Sequence, residues 1–402
     1  MLRFAFTIFL LFPVTAFAGE WPTYRHDNRR SGVSEENLNF PLKPLWTHQG
    51  GTPRQAWSGP AKWDAFSGNA GLQSMRNFDP CYYVTIDEGQ VYYGSSHDNA
   101  VHALDAKSGS ERWVFFTEAP VRLPPTLFDG AVYAGSDDGH LYALNSKNGK
   151  LIWKDHGAPS ERRIPSNASL ISLWPVRTSA LIANDSLYYA ASLTPWESSW
   201  LVSVDPKSGQ RKFAEEMSGV TLQGALLATA ETLIAPQGRS SPLLFDAKTG
   251  KAAGALSLAG GVFCLVTEDE QILAGPISQK AKDSQLLLTN PEGKKVATFN
   301  DTTRAVLSMG TAYLHTRGKL KAIRYAENSA ELWSVITPIP SELIVCENAV
   351  LIGLGNSLSA YSRERGELLW TAEVDGRVHG LAITNGTLVA STSLGAIHAF
   401  GP

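Results

Sequence analysis

Cysteine is scarce in this chain: Cys81, Cys264 and Cys346 are scattered, with no C-x-x-C and no vicinal pair. An odd set cannot pair completely within the chain, and a core of this size does not need disulfides. The three read as small buried apolar side chains. Basic runs are also missing; 35 Lys+Arg stand against 38 Asp+Glu, a net charge of −3, which argues against nucleic acid as a partner. No stretch reaches the roughly 20 apolar residues that a membrane-spanning helix requires. H-E-x-x-H, G-x-S-x-G and phosphate-loop patterns are absent, and with them any sequence ground for hydrolytic or nucleotide chemistry.

The amino terminus carries Arg3, an apolar run from Phe4 to Val14, and small residues ending Ala16-Phe17-Ala18. That order of a basic start, a short apolar stretch and an A-x-A site predicts a secretory signal peptide over residues 1–18, cleaved near Ala18. Lipid anchoring would need cysteine as the first mature residue; Gly19 stands there, so the expectation is a periplasmic or secreted protein without a lipid anchor.

Internal repetition is explicit. Gly94-Ser95-Ser96-His97-Asp98-Asn99-Ala100-Val101-His102-Ala103-Leu104-Asp105 returns as Gly135-Ser136-Asp137-Asp138-Gly139-His140-Leu141-Tyr142-Ala143-Leu144-Asn145. Asp105, Gly109 and Trp113 recur as Asn145, Gly149 and Trp153, a period of the kind that builds propellers and solenoids. Each unit reads as four short strands. Asp129-Gly130, Asp138-Gly139 and Asn148-Gly149 are read as hairpin turns that exploit the positive φ open to Asn, Asp and Gly.

The turn returns at Asp205 to Gly209, at Asp246 to Gly250 and, shortened, at Asn290-Pro291-Glu292-Gly293; Trp333 closes a sixth unit, and Gly366 with Trp370 a seventh. The eighth supplies only three strands before Pro402, and its missing strand has the character of Lys43 to His48, around Trp46. The sequence therefore predicts an all-β, eight-bladed propeller of four-stranded antiparallel blades, closed by an N-terminal strand. Residues 19–80 form a leading segment with the closing strand and a capping loop containing Trp57, Trp63 and Phe66; residues 81–402 form the ring. Trp46, Trp113, Trp153, Trp333 and Trp370, with Phe213 in the third unit, fill the splay between neighbouring blades.

The Ala103-x-Asp105-x-x-x-Gly109-x-x-x-Trp113 pattern resembles the tryptophan-docking repeat of pyrroloquinoline-quinone (PQQ-like, BamB-like) propellers. That family holds quinoprotein dehydrogenases and a non-enzymatic outer-membrane assembly factor. A narrower resemblance, to exported bacterial PQQ-like propeller proteins, rests on Trp21-Pro22-x-Tyr24-Arg25-x-Asp27, on Trp113-x-Phe115-Phe116-Thr117-Glu118-x-Pro120-Val121-Arg122, on Ile171-Ser172-x-Trp174-Pro175-Val176-Arg177-Thr178, and on Pro236-x-Gly238-Arg239-x-x-Pro242. The repeat covers about residues 81 to 402; the narrower motifs stop near 250. The vicinal disulfide of methanol dehydrogenase-type relatives has no counterpart here.

Aligning the units on their second strands puts Cys81, Arg122, Arg177, Gln223 and Val262 at one level near the channel mouth. Beside them stand Glu118 and a long connection carrying Arg162, Arg163 and Trp174. Long connections in a compact repeat are often functional. Guanidinium groups bind planar anions bidentately, so these residues suit a carboxylate, a phosphate or a quinone carboxylate; equally, the arginines pair with neighbouring acids to lock the connection onto the ring. The acid–histidine pairs at His97-Asp98 and at Asp137 to His140 occupy turns that favour Asp and Gly for conformational reasons, and no metal site is expected there.

No catalytic constellation is evident. The leading expectation is a monomeric, non-catalytic binding or scaffolding propeller of the cell envelope, engaging an envelope protein or a small anionic ligand at a disc face without a cofactor. The alternative implied by the resemblance is a quinoprotein oxidoreductase with PQQ and Ca²⁺ at the axial mouth, beside Arg122, Arg177 and Trp174. A sugar-binding or sugar-cleaving propeller using the aromatics near 57–66 and 196–200 ranks third.

Overall fold

The computed structural model describes residues 20–56, 82–167, 169–238, 240–256, 260–261, 263–275, 285–302, 304–325 and 330–402. The expected signal peptide, Cys81, Val262 and the aromatics Trp57, Trp63 and Phe66 lie outside them. Among the described residues no helix forms. Eight four-stranded antiparallel sheets follow in chain order: blade 1 (84–116), blade 2 (126–156), blade 3 (181–217), blade 4 (227–255), blade 5 (263–300), blade 6 (305–336), blade 7 (342–373) and blade 8 (378–401).

Blade 8 is completed from the other end of the chain. Lys43–Gln49 pairs antiparallel with Ala396–Gly401, Trp46 opposite Ala399 and His48 opposite Ile397. The closure expected from the repeat is the closure observed, and it leaves no open sheet at the ends of the ring.

The docking aromatics follow one local rule. Trp113 lies opposite Ala103, Trp153 opposite Ala143, Trp333 opposite Ala322 and Trp370 opposite Ala360, so a small neighbour leaves the indole room to lean toward the next blade. Each indole Nε1 then donates to a backbone carbonyl across the gap: Trp46 to Ala106 at 2.9 Å, Trp113 to Ser146 at 2.8 Å, Trp153 to Pro206 at 3.0 Å and Trp333 to Arg363 at 3.0 Å. Trp370 donates to Leu42 at 2.8 Å, just before the closing strand. The buried N–H thus finds the partner it needs.

Asp129-Gly130 and Asn385-Gly386 have both residues at positive φ, as tight hairpins demand. At Asn148-Gly149 only the glycine is left-handed, at φ 68°. The reason is a wider turn: Gly149 N–H donates to Asn145 O at 2.9 Å, while the Asn145 side chain accepts from Lys147 N–H at 3.1 Å. A Cβ at Gly149 would stand 2.6 Å from Trp113 Cε3. Gly149→Ala should therefore cost about 1–3 kcal/mol, through overpacking and a strained φ. Urea unfolding measures it, and an unchanged midpoint would remove this account of the turn glycine.

Residues 20–36, the start of the expected leading segment, cross the axis. Trp21 exchanges two 2.8 Å backbone bonds with Ile86 of blade 1, and Leu127 N–H of blade 2 donates to Pro22 O at 2.7 Å. Asn28 donates to Ile182 O of blade 3 and accepts from Ala228 N–H of blade 4. Val266 N–H of blade 5 donates to Arg29 O at 2.8 Å, Val33 bridges Val345 of blade 7, and Glu36 accepts from Gly386 N–H of blade 8. Tyr24 reaches Arg304, beside blade 6. The channel is plugged at the end where the innermost strands finish.

Candidate functional site

The opposite face, where the innermost strands begin, carries the residues singled out from sequence. Arg122 and Arg177 do come together, and what joins them is Asp137, from the turn after the second strand of blade 2. Arg122 Nε donates to Asp137 Oδ2 at 2.6 Å; Arg177 Nε and Nη2 donate to Oδ1 and Oδ2 at 2.8 and 2.9 Å. Asp137 is 1% exposed, Arg122 5% and Arg177 4%. Burial alone would raise the Asp137 pKa, but Arg177 and Arg122 outweigh it and hold the carboxyl below its ordinary value. Asp137 thus serves two guanidinium groups at once. Arg122 Nη1 also donates to Arg54 O at 2.9 Å, which ties the chain beyond the closing strand over the cluster.

The other candidates take separate positions. Gln223 sits next to Arg177, because Gly224 N–H donates to Arg177 O at 3.0 Å, but its side chain turns to Leu193 O at 3.2 Å. Trp174 is buried among Leu187, Tyr189 and their neighbours, with Nε1 donating to Ser198 O at 2.8 Å. Glu118 and Arg163 form an exposed ion pair. Arg162 is exposed, and its carbonyl accepts from Leu173 N–H at 2.8 Å. The long connection is ordered as a hairpin, Arg163–Ser166 against Ser169–Ser172, held by Ser166 and Asn167 to the carbonyls of Ala56 and Gln55.

A second charged cluster escaped the sequence reading. On the axis above the plug, Glu342 pairs with Arg25 and with Arg304, the latter at 3.1 Å. Arg25 also donates to Leu343 O at 3.1 Å. Tyr24 and Tyr83 meet edge to face 4.9 Å apart; burial first, then Glu342 for Tyr24 and Tyr24 for Tyr83, raises both phenols against the pull of Arg304. His379 is pushed down to about 4 by burial, Arg377 and Arg304. Arg304 remains 27% exposed. Arg25 and Glu342 are 317 residues apart, and no repeat offset relates them; the only sequence signal was Arg25's place in the Trp21-Pro22 motif.

The acid–histidine turns resolve into closed networks. His102 stacks on Tyr93 and is gripped at both ring nitrogens, Nδ1 by Glu111 at 2.9 Å and Nε2 by Asp98 at 3.0 Å. Burial alone would lower its pKa; the hydrogen bonds from Asp98 and Glu111 outweigh burial and raise it above 6.5, while Asp98 falls to about 2. The His102 contribution to stability is therefore full below 6.5 and lost as pH rises through the folded value; that of Asp98 is lost as pH falls from 3.8 toward 2. His102→Gln should accordingly lower stability more at pH ~5.5 than at pH ~9. Equal losses at both pH values in denaturant unfolding would contradict the charged pairing.

Comparison with known proteins extends this picture. A family model described as outer membrane protein assembly factor BamB matches residues 54–223 and 199–401. The chain belongs to this family. Its relatives are diverse. Tetrathionate hydrolase of Acidithiobacillus ferrooxidans is 24% identical over 318 residues, covering 64% of this chain and 58% of that protein. Quinoprotein ethanol dehydrogenase of Pseudomonas putida is 27% identical over 139 residues, 31% of this chain and 18% of that protein. The chain thus spans a little over half of the first relative and under a fifth of the second. A europium-containing methanol dehydrogenase superposes with a TM-score of 0.69 at 11% identity, covering 96% of this chain and 99% of that structure; at that identity the likeness is one of fold.

The quinoprotein relatives make PQQ and a metal ion the cofactors to test against this site. Among the described residues no group of three or more His, Cys, Asp and Glu side chains is placed to hold a metal ion. Arg122 and Arg177 already share Asp137, and Trp174 is committed to Ser198. The described residues near the mouth do not fit a quinone with its companion cation. No helix among them is long and apolar enough to cross a membrane.

Proposed function

We propose that the chain is an exported, monomeric, non-catalytic propeller of the cell envelope that engages a protein or a small anionic ligand on the face bearing the 163–172 hairpin. The observation that carries this reading is the gathering of basic side chains at the axial mouth, Arg122 and Arg177 on Asp137 with exposed Arg162 and Arg163 beside them. Exposed Arg162 can meet an incoming anion directly, and Arg163, held by Glu118, stands beside it. The family match to an assembly factor supports a binding role.

Capture from envelope extract, with wild type and an Arg162→Ala/Arg163→Ala variant compared side by side, is the test. A partner retained by wild type and lost by the variant is expected; recovery of the same proteins by both would defeat the assignment of this face. Secretion is checked by the mature amino terminus, expected at Gly19.

The second reading, a quinoprotein dehydrogenase, is favoured by the relatives whose names carry that activity. Titration of the protein with PQQ and Ca²⁺, followed by dye reduction with alcohols and sugars, decides between them. A spectral shift with substrate-dependent reduction would replace the binding reading.

A further inference from the structure

We propose that the crevice between blades 7 and 8, away from the axis, is a binding site for a primary ammonium group. It encloses about 320 Å³ and is lined by Asn356, Glu373, Val374, Asp375, Gly376 and His398. The outer strand of blade 7, Leu368–Glu373, ends there, and the connection to blade 8 turns across it. Val374 N–H donates to Asn356 O at 3.0 Å and pins one wall. Gly376 makes the turn at φ 85°, where a Cβ would meet Leu394 Cγ at 2.8 Å and Ser393 Oγ at 2.9 Å, so the backbone that presents Asp375 is held in one place.

Two independent features point to a cation. The first is charge: Glu373 and Asp375 are both acids, and neither forms an ion pair among the described residues. The nearby cation, Arg377, is not part of the lining and instead lies toward His379 on the axial side. The second is His398, only 9% exposed. Its Nδ1 is 3.1 Å from Thr47 Oγ1, while its Nε2 is buried without any partner. A buried nitrogen left unpaired costs free energy that a ligand recovers.

Burial lowers the His398 pKa against the pull of Asp375, so the ring is neutral near pH 7. In the tautomer whose Nδ1–H donates to Thr47, Nε2 is left as an acceptor. Two carboxylates in the lining with no cation beside them suit the positive charge of an ammonium, and the unpaired His398 Nε2 adds an acceptor in the same wall. A metal ion is a poorer match, since these side chains are not among any group placed to hold one. The site does not draw on the axial reading and stands or falls separately from it.

Histidine labelled with ¹³C at Cε1 gives a direct readout, with the His398 signal assigned by its loss in His398→Gln. Titration with n-butylammonium at pH ~7 should shift that signal saturably, with a dissociation constant on the order of 1 mM, whereas n-butanol should leave it in place. Glu373 and Asp375 are exposed, so Glu373→Gln/Asp375→Asn should fold normally and weaken binding about tenfold or more, equivalent to losing roughly 1.4 kcal/mol. No saturable shift with the wild type, or an undiminished one in the double variant, would overturn the proposal. Nα-acetyl-lysine amide in the same titration separates the sources: tighter binding than n-butylammonium assigns the site to a protein lysine, equal binding to free amines.

Discussion

Replacing Trp46 with alanine should destabilise the ring by about 3 kcal/mol, the lower end of the range for losing a large aromatic from a core, because this indole is only partly buried. Lost together are its packing on the Gly109 turn, the 2.9 Å bond to Ala106 O and the anchor of the closing strand. Strand Lys43–Gln49 is joined to blade 8 by non-covalent contacts, chiefly its pairing with Ala396–Gly401, whereas the other docking indoles sit in strands covalently continuous with their blades. Trp46→Ala should therefore also expose residues 43–49 and 396–401 to hydrogen exchange before the other blades open. Trp46→Phe keeps the packing and loses the hydrogen bond, a cost of about 1 kcal/mol. Blade 3 already uses that solution, with Phe213 opposite Ser203. Urea unfolding combined with exchange measures the series. A wild-type midpoint for Trp46→Ala would mean that the ring is held shut by something other than this strand.

The parts of the fold that were legible in sequence are those governed by local chemistry repeated at a fixed interval. Asp105, Gly109 and Trp113 each act within one turn and one inter-blade gap, so a turn glycine under an aromatic ring recurs as Gly109 under Trp46, Gly149 under Trp113, Gly209 under Trp153, Gly250 under Phe213 and Gly366 under Trp333. The pattern thins where the chemistry does. The docking position is Gly254 in blade 4 and Ala297 in blade 5, and there only the spacing of turns carried the count. The plug was not legible, because residues 20–36 repeat nothing and make their bonds to strands scattered over the whole chain.

The candidate site divides the same way. The repeat offset brought out Arg122 and Arg177, but their shared partner was read only as a turn former. Asp137 serves both purposes, since the turn after the second strand of blade 2 places its carboxylate between two incoming first strands. Arg304 and Glu342 stand two positions beyond the level chosen for the alignment, and in no other described blade is that position charged. A lone ion pair has no periodic signature, so only the folded ring reveals it.

Asp137→Ala should be the most damaging single change at the mouth, at about 3–5 kcal/mol, because it removes the carboxylate that accepts from both buried guanidiniums, Arg122 and Arg177. The same linkage makes the cluster acid-sensitive. The Asp137 pKa lies below 3.8 in the folded state, so its contribution is complete above 3.8 and lost as pH falls through the lower folded value. Arg122→Met/Asp137→Leu/Arg177→Met removes all three charges and should recover most of the loss, since an apolar replacement of a buried charged triad is often neutral. Arg122 also holds Arg54 O, so the triple variant should still loosen residues 50–56, which separates the electrostatic cost from the anchoring one. Acetate supplies the functional arm. In Asp137→Asn the Arg122 and Arg177 guanidiniums face a neutral amide, and added acetate should raise stability as a ligand bound only by the folded state does. Wild type should respond more weakly, because Asp137 already accepts from both guanidiniums. Wild-type stability in Asp137→Ala would show that the three groups are not coupled, and an acetate response independent of Asp137 would move the anion site away from these arginines.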